Sequence, residues 1–242
     1  MKKTFFALSA LAAVLFASCE KTPETGNNPG LKDDDKIDET LHPSLKGSEY
    51  VVVSLDEYST KDIQSRIKAN YQIDDTNVFL YIWENTYTAG SSDGLNFYDM
   101  ASSWTSLVVG TVGWSGAGFC VVNPTEIPPF VEKTSDLASW TFHMAYKGAA
   151  GAAHIVILTW NGATYKFAVG DGSLEDAGVK YDAIAPVSGK FEVGKWNEYE
   201  ISLAETGLDY TKAAKADNLV SVLSGGKTGT TLDVDAIFFY KK

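Results

Sequence analysis

The chain has 242 residues, of which 20 are lysine or arginine and 31 are aspartate or glutamate, and its formal net charge is −11. A chain this acidic is repelled by phosphate backbones, which argues against nucleic acid as a partner. Arg66 is the only arginine, so the bidentate guanidinium contacts that hold anionic substrates are almost unavailable. The composition therefore favours a neutral or cationic ligand.

The N-terminal residues have the pattern of an export signal. Lys2 and Lys3 precede an apolar run, Phe5–Phe16, and small residues then lead into Cys19. The run is shorter than the ~20 residues of a transmembrane helix, and its flanks are typical of a removable signal peptide. The cysteine resembles the one that bacterial lipoproteins carry at the cleavage site, where the thiol is lipidated. We therefore predict a signal peptide over residues 1–18, a lipid on Cys19 and attachment to the outer membrane, on its periplasmic or cell-surface face. An ordinary secretory signal with an incidental Cys19 is the alternative.

A flexible tether is predicted over residues 19–47. This stretch has few large apolar side chains and is rich in Pro, Gly, Asn, Asp and Lys. Such a composition cannot bury enough surface to offset the entropy of ordering the chain. Residues 48–242 then remain as one domain, which is long enough to form a full hydrophobic core.

The domain is predicted to consist mostly of strands. One short helix is expected near Ser59, which would cap it, with Ile63 and Ile67 on one face. Asn161-Gly162 predicts a tight type I′ hairpin turn. In chain order, strands are predicted at Tyr50–Ser54, Val78–Trp83, Ser106–Val112, Ala117–Val122, Trp140–Lys147, Ile155–Trp160, Ala163–Phe167, Glu198–Leu203 and Leu232–Tyr240. Many short strands between glycine-rich turns indicate an all-β sandwich or barrel.

Aromatic residues crowd around a long loop, Glu84–Met100. Flat aromatic faces suit the C–H face of a sugar ring, and amide or carboxylate groups can bond its hydroxyls. Trp83 and Trp104 are expected in the core, because tryptophan is also a good core residue. The predicted ligand-binding residues are Tyr87, Tyr98 and Trp114 as stacking platforms, with Asn85, Asp93 and Asn96 as hydrogen-bonding partners.

No catalytic constellation stands out. Acidic residues are so numerous that no pair can be singled out as the two carboxyl groups of a glycosidase. His143 and His154 lie in predicted strands without metal-ligand spacing. Cys120 is expected to be a small buried hydrophobic residue. No phosphate-binding loop, nucleophile elbow or zinc helix motif is found. We therefore predict no catalytic residues.

Three blocks in the C-terminal half carry a resemblance. They are Trp140-Thr141-Phe142-His143-Met144, the segment from Gly194 to Leu203 around Lys195-Trp196, and the segment from Leu219 to Tyr240. Together they resemble jelly-roll carbohydrate-binding modules with a galactose-binding-like fold. The resemblance covers about half of the domain and implies a jelly-roll β-sandwich that binds polysaccharide or oligosaccharide. Several such modules hold a structural calcium through an acidic residue of the last strand, and Asp235 matches that position. No other cofactor is implied.

With its lipoprotein signal, the whole chain is similar to the cell-surface glycan-binding lipoproteins of Bacteroidetes polysaccharide-utilisation systems. This similarity implies other outer-membrane glycan-uptake proteins as possible partners. The leading hypothesis is a non-catalytic lipoprotein that binds neutral glycan chains by aromatic stacking and hydrogen bonds. A jelly-roll glycoside hydrolase or lyase is one alternative. A structural or protein-interaction lipoprotein without a glycan ligand is another, because a fold does not fix a function.

Overall fold

The computed structural model describes residues 45–100, 104–110 and 112–242. The predicted signal peptide, Cys19 and most of the tether lie outside these ranges. Within them the strands are, in chain order, β1 (Glu49–Ser54), β2 (Ile67–Asn70), β3 (Val78–Ile82), β4 (Tyr87–Ala89), β5 (Thr105–Val109), β6 (Ser115–Val121), β7 (Glu126–Ile127), β8 (Trp140–Gly148), β9 (Ala153–Trp160), β10 (Ala163–Gly170), β11 (Ser173–Asp176), β12 (Val179–Asp182), β13 (Asn197–Ser202), β14 (Ala214–Lys215), β15 (Asn218–Ser224) and β16 (Thr231–Lys241). The α-helices are α1 (Glu57–Asp62) and α2 (Leu203–Thr206), and short 3₁₀ helices lie at Gln64–Arg66, Trp83–Asn85 and Thr134–Ser139. No helix of the described residues has the length and apolarity that a membrane span requires.

Two large sheets form a sandwich. The seven-stranded sheet has the order β13-β8-β16-β1-β2, with β5 paired to β16 and β4 paired to β5. The five-stranded sheet has the order β10-β9-β15-β6-β3 and is antiparallel throughout. The long strands cross repeatedly from one sheet to the other along the chain. The predicted all-β jelly-roll sandwich is therefore confirmed.

The main core lies between the two sheets. Phe142, Met144 and Tyr146 of β8 point inward and belong to the same buried cluster as Val156 and Leu158 of β9. This is the period-two pattern that the sequence of β8 predicts. Side chains pointing the other way from the seven-stranded sheet are also buried.

A second, smaller cluster covers the outer face of the seven-stranded sheet. It is formed by Tyr50, Val52, Ile63 and Phe238, and Leu45 packs into it from the start of the described chain. The seven-stranded sheet is therefore apolar on both faces, which explains why β16 is buried at nearly every position.

The structure has the hairpin turn that the sequence predicts, but a different residue caps helix α1. Asn161 and Gly162 have φ angles of 49° and 78° and join β9 to β10, so the predicted hairpin is confirmed. Helix α1 is capped by Asp56, whose carboxylate accepts a hydrogen bond from Ser59 N at 2.8 Å. The cap predicted at Ser59 is thus wrong by three residues, because the carboxylate of Asp56 takes that role and Ser59 lies buried inside the helix.

The folded unit already includes the end of the predicted tether. Nη1 of Arg66 donates to the carbonyl oxygens of Leu45 and Gly47, both at 2.8 Å. Gly47 N donates to Tyr50 Oη at 2.6 Å. Leu45 and Gly47 are both buried, so these residues pack on the domain although their local composition resembles the flexible stretch before them.

Candidate functional site

The outer face of the five-stranded sheet carries partly exposed aromatic residues. In β3, Val78 and Ile82 point into the core, so the alternation turns Tyr81 outward. Trp83 follows directly after β3 and is half-buried, as is Tyr81. Trp83 was expected in the core, and that expectation is wrong, because its side chain lies over the outer face of β6.

Two glycines of β6 make room for side chains from neighbouring strands. A Cβ atom at Gly116 would collide with Cε3 of Trp83, and a Cβ atom at Gly118 would collide with Oδ1 of Asn218. The two glycines alternate with the inward-pointing Ala117. Trp83 and Asn218 therefore lie directly on the backbone of β6.

Tyr81 and Trp83 form a corner rather than a flat surface. Their ring centroids are 6.4 Å apart and the ring planes meet at 84°. Beyond them, β15 turns Ser221 toward the same outer face, and Leu223 approaches Gly116 from the same strand. We call the surface formed by Tyr81, Trp83, Asn218 and Leu223 the Trp83 strip; Ser221 points to the same face but is only 4% exposed.

A strained turn follows Trp83. Glu84 and Asn85 have φ angles of 50° and 54°, in the left-handed region that non-glycine residues rarely adopt. Both side chains are exposed. The next residue, Thr86, is buried and fixes the turn, because its Oγ1 accepts from Gly116 N at 3.0 Å and its carbonyl oxygen accepts from Ser115 Oγ at 2.7 Å. Such strain persists where surrounding contacts hold it, and it is often found at functional sites.

The polar groups of the Trp83 strip are mostly uncharged. Oδ1 of Asn218 is buried without a hydrogen-bond partner among the described residues, and the exposed amide of Asn85 borders the strip. Lys166 on β10 lies near the far side of this face and is paired with Asp176, with 2.7 Å between Nζ and Oδ2. The strip therefore offers aromatic faces and neutral polar groups.

Two of the residues predicted to bind ligand are buried instead. Tyr87 is only 1% exposed and belongs to the main core, where it pairs with Val109 across β4 and β5. Asn96 is fully buried, and its Oδ1 accepts from Met100 N at 2.9 Å. Neither side chain can meet a ligand at the surface. The sequence placed both in a loop, but Tyr87 begins a strand and Asn96 fixes a turn.

The other predicted residues are divided between two faces of the molecule. Tyr98 is half-buried on the outer face of the seven-stranded sheet, where its ring stacks on His143 at 6.4 Å. Asp93 is exposed in the same segment and accepts from Ser91 Oγ at 2.7 Å. Asn85 and Trp114 instead lie beside the Trp83 strip, Asn85 in the turn after Trp83 and half-buried Trp114 just before β6. These residues do not form one site.

The residues around Asp235 do not fit the calcium that the resemblance implies. Oδ2 of Asp235 accepts from Phe97 N at 2.9 Å, so this oxygen already has a backbone partner. Burial raises the pKa of Asp235 to about 6. Among the described residues, no group of three or more acidic, histidine or cysteine side chains is placed to hold a metal ion. Asp235 instead anchors the segment that carries Phe97.

Histidine side chains near this region have structural partners. Nδ1 of His143 lies 2.7 Å from the carbonyl oxygen of Ala236 and therefore carries a proton, while Nε2 lies 3.1 Å from Glu198. The hydrogen bond from His143 is the main cause that lowers the pKa of Glu198. Burial lowers the pKa of His154 to about 3, so it is neutral. The contacts of His143 thus help to hold the outer layer on the seven-stranded sheet, whereas His154 lies in β9 of the five-stranded sheet, 3.2 Å from Tyr146 Oη.

Sequence reasoning missed Tyr81, Trp83 and Asn218 as surface residues. The stretch Val78–Trp83 is apolar at every position, so alternation cannot tell which set of side chains points to the core. A usable signal was the pair Gly116 and Gly118, because glycines two positions apart in a strand indicate close approach of other groups on one face. Trp104 is buried as expected, at 5.4 Å from the ring of Trp196, and Cys120 is buried as expected.

Comparison with known proteins finds solved structures that are similar in fold. No protein-family model and no curated protein sequence matches the chain. A family 30 carbohydrate-binding module is similar in structure, with 13% identity, a TM-score of 0.41, and a match covering 68% of this chain and 92% of the module. An exo-β-agarase is similar with 11% identity and a TM-score of 0.44, over 72% of this chain and 24% of the agarase. SGBP-B, from a complex xyloglucan utilization locus in Bacteroides uniformis, is similar with 15% identity and a TM-score of 0.39, over 69% of this chain and 48% of that protein.

Proposed function

We propose that the protein binds neutral glycan chains on the Trp83 strip and has no catalytic role. The observation that carries the proposal is the position of Trp83, a half-buried indole that lies over Gly116 on an outer sheet face. An aromatic ring placed this way can stack against the C–H face of a sugar. The exposed side chain of Asn85, in the turn directly after Trp83, adds polar groups that can bond sugar hydroxyls.

The charges near the strip favour a neutral ligand. Lys166 is neutralised by Asp176, and Glu84 adds an exposed carboxylate beside Trp83. The single arginine, Arg66, is engaged with the backbone of Leu45 and Gly47 on the other sheet. A polyanionic glycan would therefore meet repulsion without a compensating clamp.

The glycan test compares two tryptophans on opposite faces. The soluble chain beginning after Cys19 is run by affinity electrophoresis through gels containing neutral polysaccharides, including xyloglucan, mixed-linkage β-glucan, galactomannan, agarose and starch. Retardation is expected in at least one gel. Trp83→Ala should weaken it about tenfold or more, because a central tryptophan contributes about 2 kcal/mol to binding.

Trp196→Ala is the matched control. Trp196 is also half-buried, but it lies with Leu95 on the outer side of the seven-stranded sheet. Its removal should leave retardation unchanged. No retardation of the wild-type chain in any gel, or equal loss in the two variants, would contradict binding on the Trp83 strip.

We also propose that a lipid on Cys19 holds the protein in the outer membrane, where it works beside other glycan-uptake proteins. The sequence pattern that ends at Cys19 supports this proposal. Cells fed an alkyne fatty acid should label the wild-type protein and leave Cys19→Ser unlabelled. Label in the Cys19→Ser protein would reject lipidation at this residue.

A further inference from the structure

The small hairpin formed by β11 and β12 lies on the outer face of the five-stranded sheet. Strand β11 contacts β9 and β12 contacts β10, and Ile184 N donates to Ala168 O at 2.9 Å. Below the hairpin, Ile155, Ile157 and Ala168 are buried although they alternate with the core positions of their strands. The hairpin therefore covers the half of this face that the Trp83 strip leaves uncovered.

Two contacts fasten the hairpin in place. Asp176 at the end of β11 forms the ion pair with Lys166, and both side chains are mostly shielded from solvent. Leu174 packs against the chain just after β15, because a Cβ atom at Gly225 would lie 2.7 Å from its Cδ1. The hairpin is thus an additional layer standing above the plane of the sheet.

The strip consequently has a wall on each side. Tyr81 stands at 84° to the plane of Trp83 on one side, and the hairpin rises above β9 and β10 on the other. Strands β3 and β9 are three places apart in the sheet order, which is about 14 Å at ~4.8 Å for each strand spacing. One glycan chain fits into this width, whereas the flat face of a polysaccharide crystal would be held away by the hairpin.

We propose that the hairpin β11–β12 is a specificity element, which restricts the Trp83 strip to single, solvated glycan chains and excludes crystalline surfaces. The inference rests on the proposed glycan binding at the strip. It adds the physical form of the ligand, which neither the composition nor the aromatic residues define.

The test measures binding to one polymer in two forms. The pairs are cello-oligosaccharide and microcrystalline cellulose, chitin oligosaccharide and crystalline chitin, and manno-oligosaccharide and crystalline mannan. The wild-type chain should prefer the soluble member of the pair it recognises by about tenfold or more, which corresponds to 1.4 kcal/mol. Equal or tighter binding to the crystalline member would overturn the inference while leaving glycan binding intact. Failure to bind either member of these pairs or any gel polysaccharide would reject the proposed function instead.

A shortened hairpin gives the second measurement. Leu174 and Tyr181 pair across β11 and β12, so residues 175–180 can be replaced by Asn-Gly, which closes a two-residue turn at that pair. Lys166 is changed to Gln in the same variant, because the replacement removes its ion-pair partner Asp176. The shortened chain should gain affinity for the crystalline member and keep its affinity for the soluble one. An unchanged preference in a folded variant would contradict the role of the hairpin. If the variant does not fold, the wild-type comparison still decides between the two forms of ligand.

Discussion

Thr86 is hydrogen-bonded to Gly116 in both directions. Its Oγ1 accepts from Gly116 N at 3.0 Å and donates to Gly116 O at 3.4 Å. Thr86 N also donates to Trp83 O at 3.0 Å. One buried hydroxyl group therefore connects the strained turn after β3 to the part of β6 on which the Trp83 ring lies.

Thr86→Val should loosen this connection. The substitution keeps the shape of the side chain but leaves the buried N–H of Gly116 without its acceptor, which costs about 1–3 kcal/mol of unfolding free energy. Urea unfolding measures the loss, and tryptophan fluorescence should shift as Trp83 moves. Thr86→Ser keeps the hydroxyl group and should stay much closer to wild type. Equal effects of Val and Ser would show that the hydroxyl group is not what holds the turn.

Gly116→Ala tests the close approach of Trp83 to β6. The added methyl group would collide with the indole, and a displaced ring should weaken glycan retardation about tenfold. Gly118→Ala is the comparison, since there the added methyl group meets Oδ1 and Cγ of Asn218 instead of the indole. We expect it to cost less binding than Gly116→Ala. The reverse order would mean that Asn218, not Trp83, dominates the strip.

Asp235→Asn should change how stability depends on pH. Burial raises the pKa of Asp235 from 3.8 to about 6, so the folded state keeps this proton over a pH range in which the unfolded state has lost it. From this group alone, the unfolding free energy falls by about 3 kcal/mol as pH rises from about 4 to 7. The difference between variant and wild type should therefore favour the variant increasingly across that range. Urea titrations at several pH values measure it, and a constant difference would contradict the buried, raised carboxyl group.

Tyr87→Phe separates a core role from a binding role. Tyr87 Oη is buried without a hydrogen-bond partner among the described residues, so its removal should leave stability unchanged or raise it by about 1 kcal/mol. Glycan retardation should also be unchanged. A loss of retardation in a fully folded Tyr87→Phe protein would show that the hydroxyl group of Tyr87 takes part in glycan binding.

The sequence predictions succeed where a local sequence pattern is enough to define the structure. The alternation in β8 and the Asn161-Gly162 turn are local signals, and both are confirmed. The structure of the long loop Glu84–Met100 could not be predicted from a local pattern. Tyr87 is buried by its partner Val109, 22 positions away (109 − 87), which no local pattern shows.

The candidate site was obscured for a related reason. In the apolar stretch Val78–Trp83, both sets of alternating residues are hydrophobic, and only the pairing with β6 shows that Tyr81 lies opposite Gly118 on the outer face. The resemblance matches Asp235 to a calcium position, and the structure shows its carboxylate bonded to the backbone of Phe97. That contact joins residues 138 positions apart in the chain.

The anchoring of Leu45 by Arg66 also determines how the domain can be displayed. Leu45 packs on the outer face of the seven-stranded sheet, whereas Trp83 lies on the outer face of the five-stranded sheet, at the far side of the sandwich. When the chain is held by residues before Leu45, the pull therefore acts on the side away from the indole. The start of the described chain and the Trp83 strip therefore lie on opposite faces of the sandwich, so a tether that leaves at Leu45 does not pass over the indole.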